Sequence, residues 1–200
     1  MDGPAVVAAA ALGYLIGSFP SADLATRLAG RDVDLRASGS GNPGATNAAR
    51  VLGKQWGAAV LIVDLGKGAA AVFATRGIAG DAGAYAAAIT VVAGHILPPW
   101  SRFRGGKGMA TAGGAVLAVL PFYFPLAVAL AALVAFGTHR TELAAQVSAV
   151  ALATAGLVWF LASWPNGWGP EPGAGLVAFG FAVATMIVVK FAFTRAPELA

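Results

Sequence analysis

The chain has 200 residues, of which 58% are hydrophobic and 11% charged, too little polar surface to cover a soluble domain of that length. It has no cysteine and only two histidines, which excludes disulfides, thiolate metal sites and a histidine-rich metal cage. A formal net charge of +4 in so apolar a chain points to anionic lipid headgroups or phosphorylated substrates rather than to nucleic acid.

A helix needs roughly 20 apolar residues to cross a hydrocarbon core of about 30 Å. Residues 4–28 supply the first such stretch. No basic residue precedes its apolar run and it continues beyond signal-peptide length, so it reads as a retained span. Residues 55–75 and 81–99 supply the second and third. Residues 109–137 carry no charge, and as one helix they would be about 42 Å long. Pro121 and Pro125 flank Phe122, Tyr123 and Phe124 at the middle of that stretch. Proline breaks interior helical hydrogen bonds and aromatic residues favour membrane interfaces. Two short helices turning near 121–125 are therefore predicted in preference to one kinked span. Residues 143–163 and 173–193 complete seven crossings. The expected fold class is all-α: a compact seven-transmembrane-helix bundle forming a single domain over residues 1–200. Recurring small residues, such as Gly113-Gly114 and Gly57 one turn before Leu61, permit close helix packing.

The charges agree with that count. With the amino terminus outside, the inward segments hold Arg27, Arg31, Arg36, Arg50 and Lys54, then Arg102, Arg104 and Lys107, then Arg140, and finally Lys190 and Arg195. Only Lys67 and Arg76 of the thirteen basic residues fall elsewhere, a strong positive-inside bias. Trp159, Trp164 and Trp168 then lie near the outer face as interface anchors, joined by the Pro/Gly-rich loop 165–173.

Polar chemistry collects in inward segments. In residues 34–50, Gly39, Gly41 and Gly44 allow tight or left-handed backbone, and Ser38, Ser40, Asn42, Thr46 and Asn47 add hydrogen-bonding groups. Arg50 can hold phosphate in a bidentate contact, and the turn's amides can form an anion nest; a breaker-rich surface loop is the plain alternative. In residues 94–111, Gly105, Gly106 and Gly108 surround Lys107 at the start of the fourth span, ahead of Thr111. A helix amino terminus with a lysine beside it suits an anion. His95, at the end of the third span, either exchanges a proton, donates a hydrogen bond or ties neighbouring helices together. Asp64 and Lys67 share a helix face and are expected to pair, with Lys67 lining the cleft; Asp23 and Arg27 also share a face, near the inner end of the first span, and read as a topology and packing feature. The turn 138–142 reads as solvated, with Glu142 favouring the start of the next helix.

Arg36 followed by Gly39-Ser-Gly-Asn-Pro-Gly-Ala-Thr-Asn47 and Arg50 resembles the first motif of the bacterial acyl-phosphate:glycerol-3-phosphate acyltransferases. Asp64-Leu-Gly-Lys-Gly68, Gly94-His-Ile-Leu-Pro98 and Phe103-Arg-Gly-Gly-Lys-Gly-Met-Ala-Thr111 resemble further segments of that family, in the same order. The resemblance covers residues from about 12 to 112 well. It implies transfer of a fatty acyl group from acyl phosphate to the sn-1 hydroxyl of glycerol 3-phosphate, the first step of phospholipid synthesis, with no metal or cofactor. It implies a multi-pass protein of the bacterial inner (plasma) membrane with its active site facing the cytoplasm. Ser40 and Asn47 would orient substrates, with His95 also in the catalytic group. Arg50 and Lys107 would hold phosphate, and Gly105, Gly106 and Gly108 would form the glycerol-phosphate loop. Arg36, Ser38, Gly39, Gly41, Asn42, Gly44, Thr46, Lys67 and Thr111 would line the substrates.

Two segments depart from the family pattern. His139-Arg-Thr-Glu142 stands where Arg-Tyr-x-Ser is usual, and Phe193-Thr-Arg-Ala-Pro-Glu-Leu-Ala200 stands where a His-Arg-Glu-Asn-like ending is usual. A transporter of a phosphorylated metabolite or lipid and a non-catalytic paralogue are the competing readings. Flux without turnover would mark the first, and phosphate affinity without turnover the second.

Overall fold

The structure is a computed structural model and describes residues 3–194. Among these residues all regular structure is helical. The main helices are α1 (Gly3–Gly17), α2 (Ser21–Leu28), α3 (Ala45–Val51), α4 (Lys54–Ile96), α5 (Met109–Val119), α6 (Phe124–Thr138), α7 (Thr141–Ala162) and α8 (Ala174–Phe193). Four stretches are long and apolar enough to cross a membrane by length and composition: Gly3–Leu28, Lys54–Ser101, Thr141–Ala162 and Ala174–Phe193. Met109–Val119 and Phe124–Thr138 are apolar but shorter.

Proline and glycine decide where these helices stop. The expected continuous span 4–28 is interrupted: α1 ends at Gly17, and Pro20, which has no amide hydrogen to donate, precedes α2. The expected second and third spans are the two limbs of α4, joined where Ala79 and Gly80 leave helical geometry. Gly80 has φ 61° and ψ −156°, a backbone region that only glycine occupies readily. A straight helix would separate Asp64 from His95 by about 46 Å. Instead the Asp64 Oδ1 and His95 Nδ1 atoms lie 3.6 Å apart, so α4 folds back on itself. The second limb ends at Ile96, short of the expected Pro99, where a 3-10 turn, Pro99–Ser101, takes over. The long stretch 109–137 divides as its prolines predict. Val119 ends α5, Pro121 lies in the turn, and Pro125 sits in the first turn of α6, where a missing amide hydrogen does no harm.

Close packing follows from small residues on facing helices. Any Cβ on Gly17 would run into the backbone of Val91, and one on Gly94 into the backbone of Tyr14, so α1 and the second limb of α4 touch main chain to main chain. The main core joins Ala71, Ala88 and Val92 of α4, Ala115 and Val119 of α5, Leu152 of α7, and Phe179 and Val183 of α8. A separate cluster of Ala22, Ala25, Leu35, Ala48, Leu52 and Val60 packs α2, α3 and the start of α4 together, and it supports the polar segment 34–50. No residue of α6 is buried, and Leu133, Phe136 and Leu161 are among the most exposed apolar side chains, the surface expected of a protein solvated by lipid.

The bundle has two distinct ends. At one, Arg76 pairs with Asp81 at 2.9 Å and donates to the Trp168 carbonyl at 2.5 Å, while the Glu171 amide donates to Asp81 at 2.9 Å. There the Trp168 indole donates to the Leu117 carbonyl at 3.2 Å, and Trp159 and Trp164 pack edge to face with centroids 4.9 Å apart. These bonds tie the α4 turn, the end of α5 and the loop 163–173 together. The two glycine-rich polar segments collect at the opposite end.

Candidate active site

Arg36 joins the two polar segments. Its Nε donates to the Arg104 carbonyl at 2.7 Å, across 68 residues of sequence. Its two terminal nitrogens grip Asp23 of α2 at 2.7 and 3.1 Å, the fork-to-fork geometry that suits arginine and carboxylate. That hydrogen-bonded pairing with Asp23 holds the guanidinium above its ordinary pKa, against the opposing effect of burial. Asp23 pairs with Arg36 and not with Arg27 on its own helix, and Arg36 thereby clamps α2 and both loops. Tyr14 and Trp100 reinforce the junction, donating to the Leu97 carbonyl at 2.6 Å and the Ser18 hydroxyl at 3.0 Å.

Asn47 builds the first loop from within. It is buried; its Oδ1 accepts from the Ser40 amide at 2.9 Å, and its Nδ2 donates to the carbonyls of Leu35 at 3.0 Å and Ser38 at 2.9 Å. Both of its donors are thus used on backbone. Through these bonds Asn47 fixes where the Ser40 backbone sits. Gly39, at φ 60°, lies against Asn47 with no room for a Cβ. The Ser40 hydroxyl has no hydrogen-bond partner among the described residues, and Ser40 is half-buried. Gly41 is also left-handed at φ 70°, and Gly44 precedes α3 in extended backbone. Ser38 and Asn42 are half-buried beside them, while Thr46 and Arg50 project from α3 into the open.

A buried network lies beneath these loops. Lys67 Nζ contacts Asp64 Oδ1 at 2.8 Å, His95 Nδ1 at 2.9 Å and the Phe19 carbonyl at 3.3 Å, and Ser21 Oγ donates to Asp64 Oδ1 at 2.7 Å. Asp64 and Lys67 do pair. Lys67 is only 6% exposed, and all three of its donors are engaged within the protein. Its work is to neutralise Asp64 and orient His95. An ammonium donates only, so His95 Nδ1 must accept and Nε2 carries the proton. Nε2 faces Gly106, where a Cβ would strike the ring.

The second loop turns through Arg102 and Phe103, both left-handed at φ 53° and 61°, a strained conformation for such side chains. The Gly105 and Gly106 amides donate to the carbonyls of Ile96 at 3.1 Å and His95 at 3.2 Å. These two amides close the end of α4. The amides left over belong to the first turn of α5, after left-handed Gly108, where they have no backbone acceptor among the described residues. Thr111 is fully buried, with its hydroxyl unpartnered and its backbone against Gly68. It serves the α4–α5 crossing rather than the loop surface.

Asp23, Arg36, Pro43, His95, Gly105 and Gly106 line a cavity of about 20 Å³, room for about one water. Ser40, Arg50 and Lys107 are not on its wall. Lys107 lies towards α7 and α8 instead: its Nζ bonds Glu142 Oε1 at 2.7 Å and sits 4.2 Å from the Phe191 ring centre. Glu142, expected to be merely solvated, is a partner of the main candidate cation. Ser21, Asp23 and Glu142 were thus missed as parts of the site, since their partners lie 13 to 43 residues away and no local spacing signals them. The sequence departure at 193–200 falls mostly on residues 195–200, outside the described residues.

A family model for glycerol-3-phosphate acyltransferase matches residues 7–195. The chain is 43% identical over 152 residues to a glycerol-3-phosphate acyltransferase of Nitrobacter winogradskyi, covering 74% of each protein. It is 48% identical over 113 residues to that of Exiguobacterium sibiricum and 49% identical over 125 residues to that of Synechococcus elongatus. Those two alignments span 54% and 59% of the relatives' lengths. The fold is similar to the crystal structure of PlsY (YgiH), an integral membrane glycerol 3-phosphate acyltransferase, in its glycerol 3-phosphate form. The TM-score is 0.78 and the identity 29%, over 94% of this chain and 88% of that one.

Proposed function

The chain belongs to the glycerol-3-phosphate acyltransferase family, and from that premise we propose that it moves a fatty acyl group from acyl phosphate to the sn-1 hydroxyl of glycerol 3-phosphate. The observation that carries this reading is the Arg36 bridge to the Arg104 carbonyl at 2.7 Å. It sets two glycine-rich, cation-bearing segments side by side at one end of an apolar bundle. Both substrates carry phosphate, which suits the cations, and one carries a fatty tail, which suits the bundle. A groove of about 880 Å³ between α6, α7 and α8 runs from Tyr123 and Trp159 to Leu143, the neighbour of Glu142. Its apolar lining, which includes Leu126, Leu130, Val147 and Val150, offers the tail a path that ends beside Lys107.

In the proposed reaction the sn-1 oxygen attacks the acyl carbonyl carbon. The new ester bond forms, the bond from that carbon to the phosphate oxygen breaks, and the departing phosphate takes the hydroxyl proton. Phosphate is a good leaving group, so no nucleophilic serine is needed and proximity supplies much of the rate. Lys107 and Arg50 hold phosphate and stabilise charge on the leaving oxygen. Ser40, set in place by Asn47, orients the acceptor, and His95 donates from Nε2 at the loop junction.

The test is purified protein in detergent with acyl phosphate and glycerol 3-phosphate. Equal amounts of 1-acyl-glycerol 3-phosphate and inorganic phosphate are expected, and a monodisperse preparation that forms neither refutes the reading. Ser40→Ala is expected to slow turnover by roughly one to two orders of magnitude, because an unmet hydrogen bond costs about 1–3 kcal/mol; Ser38→Ala should be milder. Rapid-quench mass analysis should find no acylated serine. An adduct on Ser40 that forms and decays at the turnover rate would replace direct transfer with a two-step path.

We further propose that α1, both limbs of α4, and α5 to α8 make seven crossings in a bacterial inner membrane, with the amino terminus outside and the site facing the cytoplasm. The basic residues at the site end, Arg31, Arg36, Arg50, Arg102, Arg104, Lys107 and Arg140, support this orientation. A cysteine placed at Phe122, exposed in the turn between α5 and α6, should react with an impermeant reagent from outside, and one placed at Arg140 only after the inner face is opened. The reverse pattern would invert the topology.

A further inference from the structure

Glu142 occupies Lys107 as a phosphate oxygen would, and we propose that this carboxylate is a built-in competitor for the phosphate subsite, one that must swing off before substrate phosphate binds and that returns to help expel it. The inference rests on reading Lys107 as a phosphate-holding residue. Lys107 Nζ bonds Glu142 Oε1 at 2.7 Å from the α7 side, while the Phe191 ring covers it from α8 at 4.2 Å. The ammonium therefore presents its donors towards an anion delivered at the start of α7. Carboxylate and phosphate oxygens offer lysine the same acceptor chemistry.

The two lysine–carboxylate pairs at this end of the bundle differ in one decisive respect. Lys67 and Asp64 are 6% and 2% exposed, so that pair cannot open without stranding charge in an apolar interior. Lys107 is 16% exposed but Glu142 is 60% exposed, so Glu142 can rotate into water with little desolvation cost. It lies in the first turn of α7, where the helix amino terminus favours its charge whether or not it touches Lys107. The groove wall continues from Leu143, the next residue, so a tail bound there would bring its phosphate to the place where the carboxylate now sits.

An exposed pair of this kind weakens a competing ligand only modestly, by about two- to fivefold. Binding of inorganic phosphate to the purified protein, followed by calorimetry, reads this directly. Glu142→Gln should lower the Kd for phosphate about two- to fivefold, and phosphate inhibition of acyl transfer should tighten in step. Glu142→Asp, which keeps the charge but retracts the carboxylate, should give an intermediate gain. In the Lys107→Ala background the Gln substitution should give none. Equal phosphate affinity in wild type and E142Q, a gain that persists without Lys107, or no phosphate binding to any of the proteins would each overturn the proposal. Tightening in E142Q alongside a wild type that makes no product would leave Glu142 in this role and remove only the acyl-transfer reading.

Discussion

Asp64→Ala is expected to abolish activity by undoing the fold at the site end, with no monodisperse protein recovered or a large fall in Tm. Asp64 accepts from Ser21 at 2.7 Å and faces Lys67 at 2.8 Å, with both members of the ion pair buried. Removing it leaves an ammonium and a hydroxyl without their acceptor in an apolar setting. Stranding one member of a buried pair costs about 3–5 kcal/mol, a large share of the stability of a domain this size. Loss of fold alone would not separate the charge from the packing, so the double variant Asp64→Leu with Lys67→Met is the informative partner. Removing both charges together is often neutral, and the double variant should recover much of the lost Tm. It should still be impaired in turnover, because nothing then holds His95 Nδ1 as an acceptor. A single D64A protein as stable as wild type, or a fully active double variant, would show that the network supports neither the fold nor the ring.

Breaks in the helices were legible in the sequence, because a missing amide hydrogen or a missing Cβ acts wherever it stands. Pro20, Gly80 and Pro121 mark the three main interruptions, although Pro20 was read through as part of one span since hydropathy continues across it. The polar segments were legible for a similar reason: glycines and cations seldom collect in an apolar chain unless backbone or charge is needed there. Which cation meets which anion was not legible. A sequence shows neighbours three and four apart, and the geometry keeps the pair expected of Asp64 with Lys67. Asp23 prefers Arg36, 13 residues on, to Arg27 on its own helix. A bidentate grip that also ties in the Arg104 carbonyl satisfies more donors than an exposed helical pair does. The partners of the glycine loop's amides were equally out of reach of the sequence. The end of α4 needed partners for its last carbonyls, and the Gly105 and Gly106 amides meet that need across the turn.

Lys107→Ala is expected to do the reverse of Asp64→Ala, leaving the fold intact while lowering kcat/KM by about ten- to a hundredfold. A hydrogen bond to a charged group is worth roughly 1.5–3 kcal/mol, and that range converts to this loss if the contact is made to phosphate as charge develops on the leaving oxygen. The fold should not suffer, because the group left behind is Glu142, at 60% exposure, which water can solvate as Lys107 leaves. The Phe191 ring loses its cation at 4.2 Å, a contact worth about 0.5–1 kcal/mol at an exposed site, so Tm should fall by a few degrees at most. Lys107→Arg should recover part of the activity, since it restores charge but spreads it over a plane that fits the Phe191 face differently. Steady-state kinetics with either substrate varied, read beside Tm in the same detergent, separate the outcomes. An unchanged kcat/KM would remove Lys107 from the site and leave Arg50 as the cation to pursue. A collapse in Tm like that of D64A would instead mean that the Lys107–Glu142 pair holds α5 to α7, and that its exposure is no guide to its work.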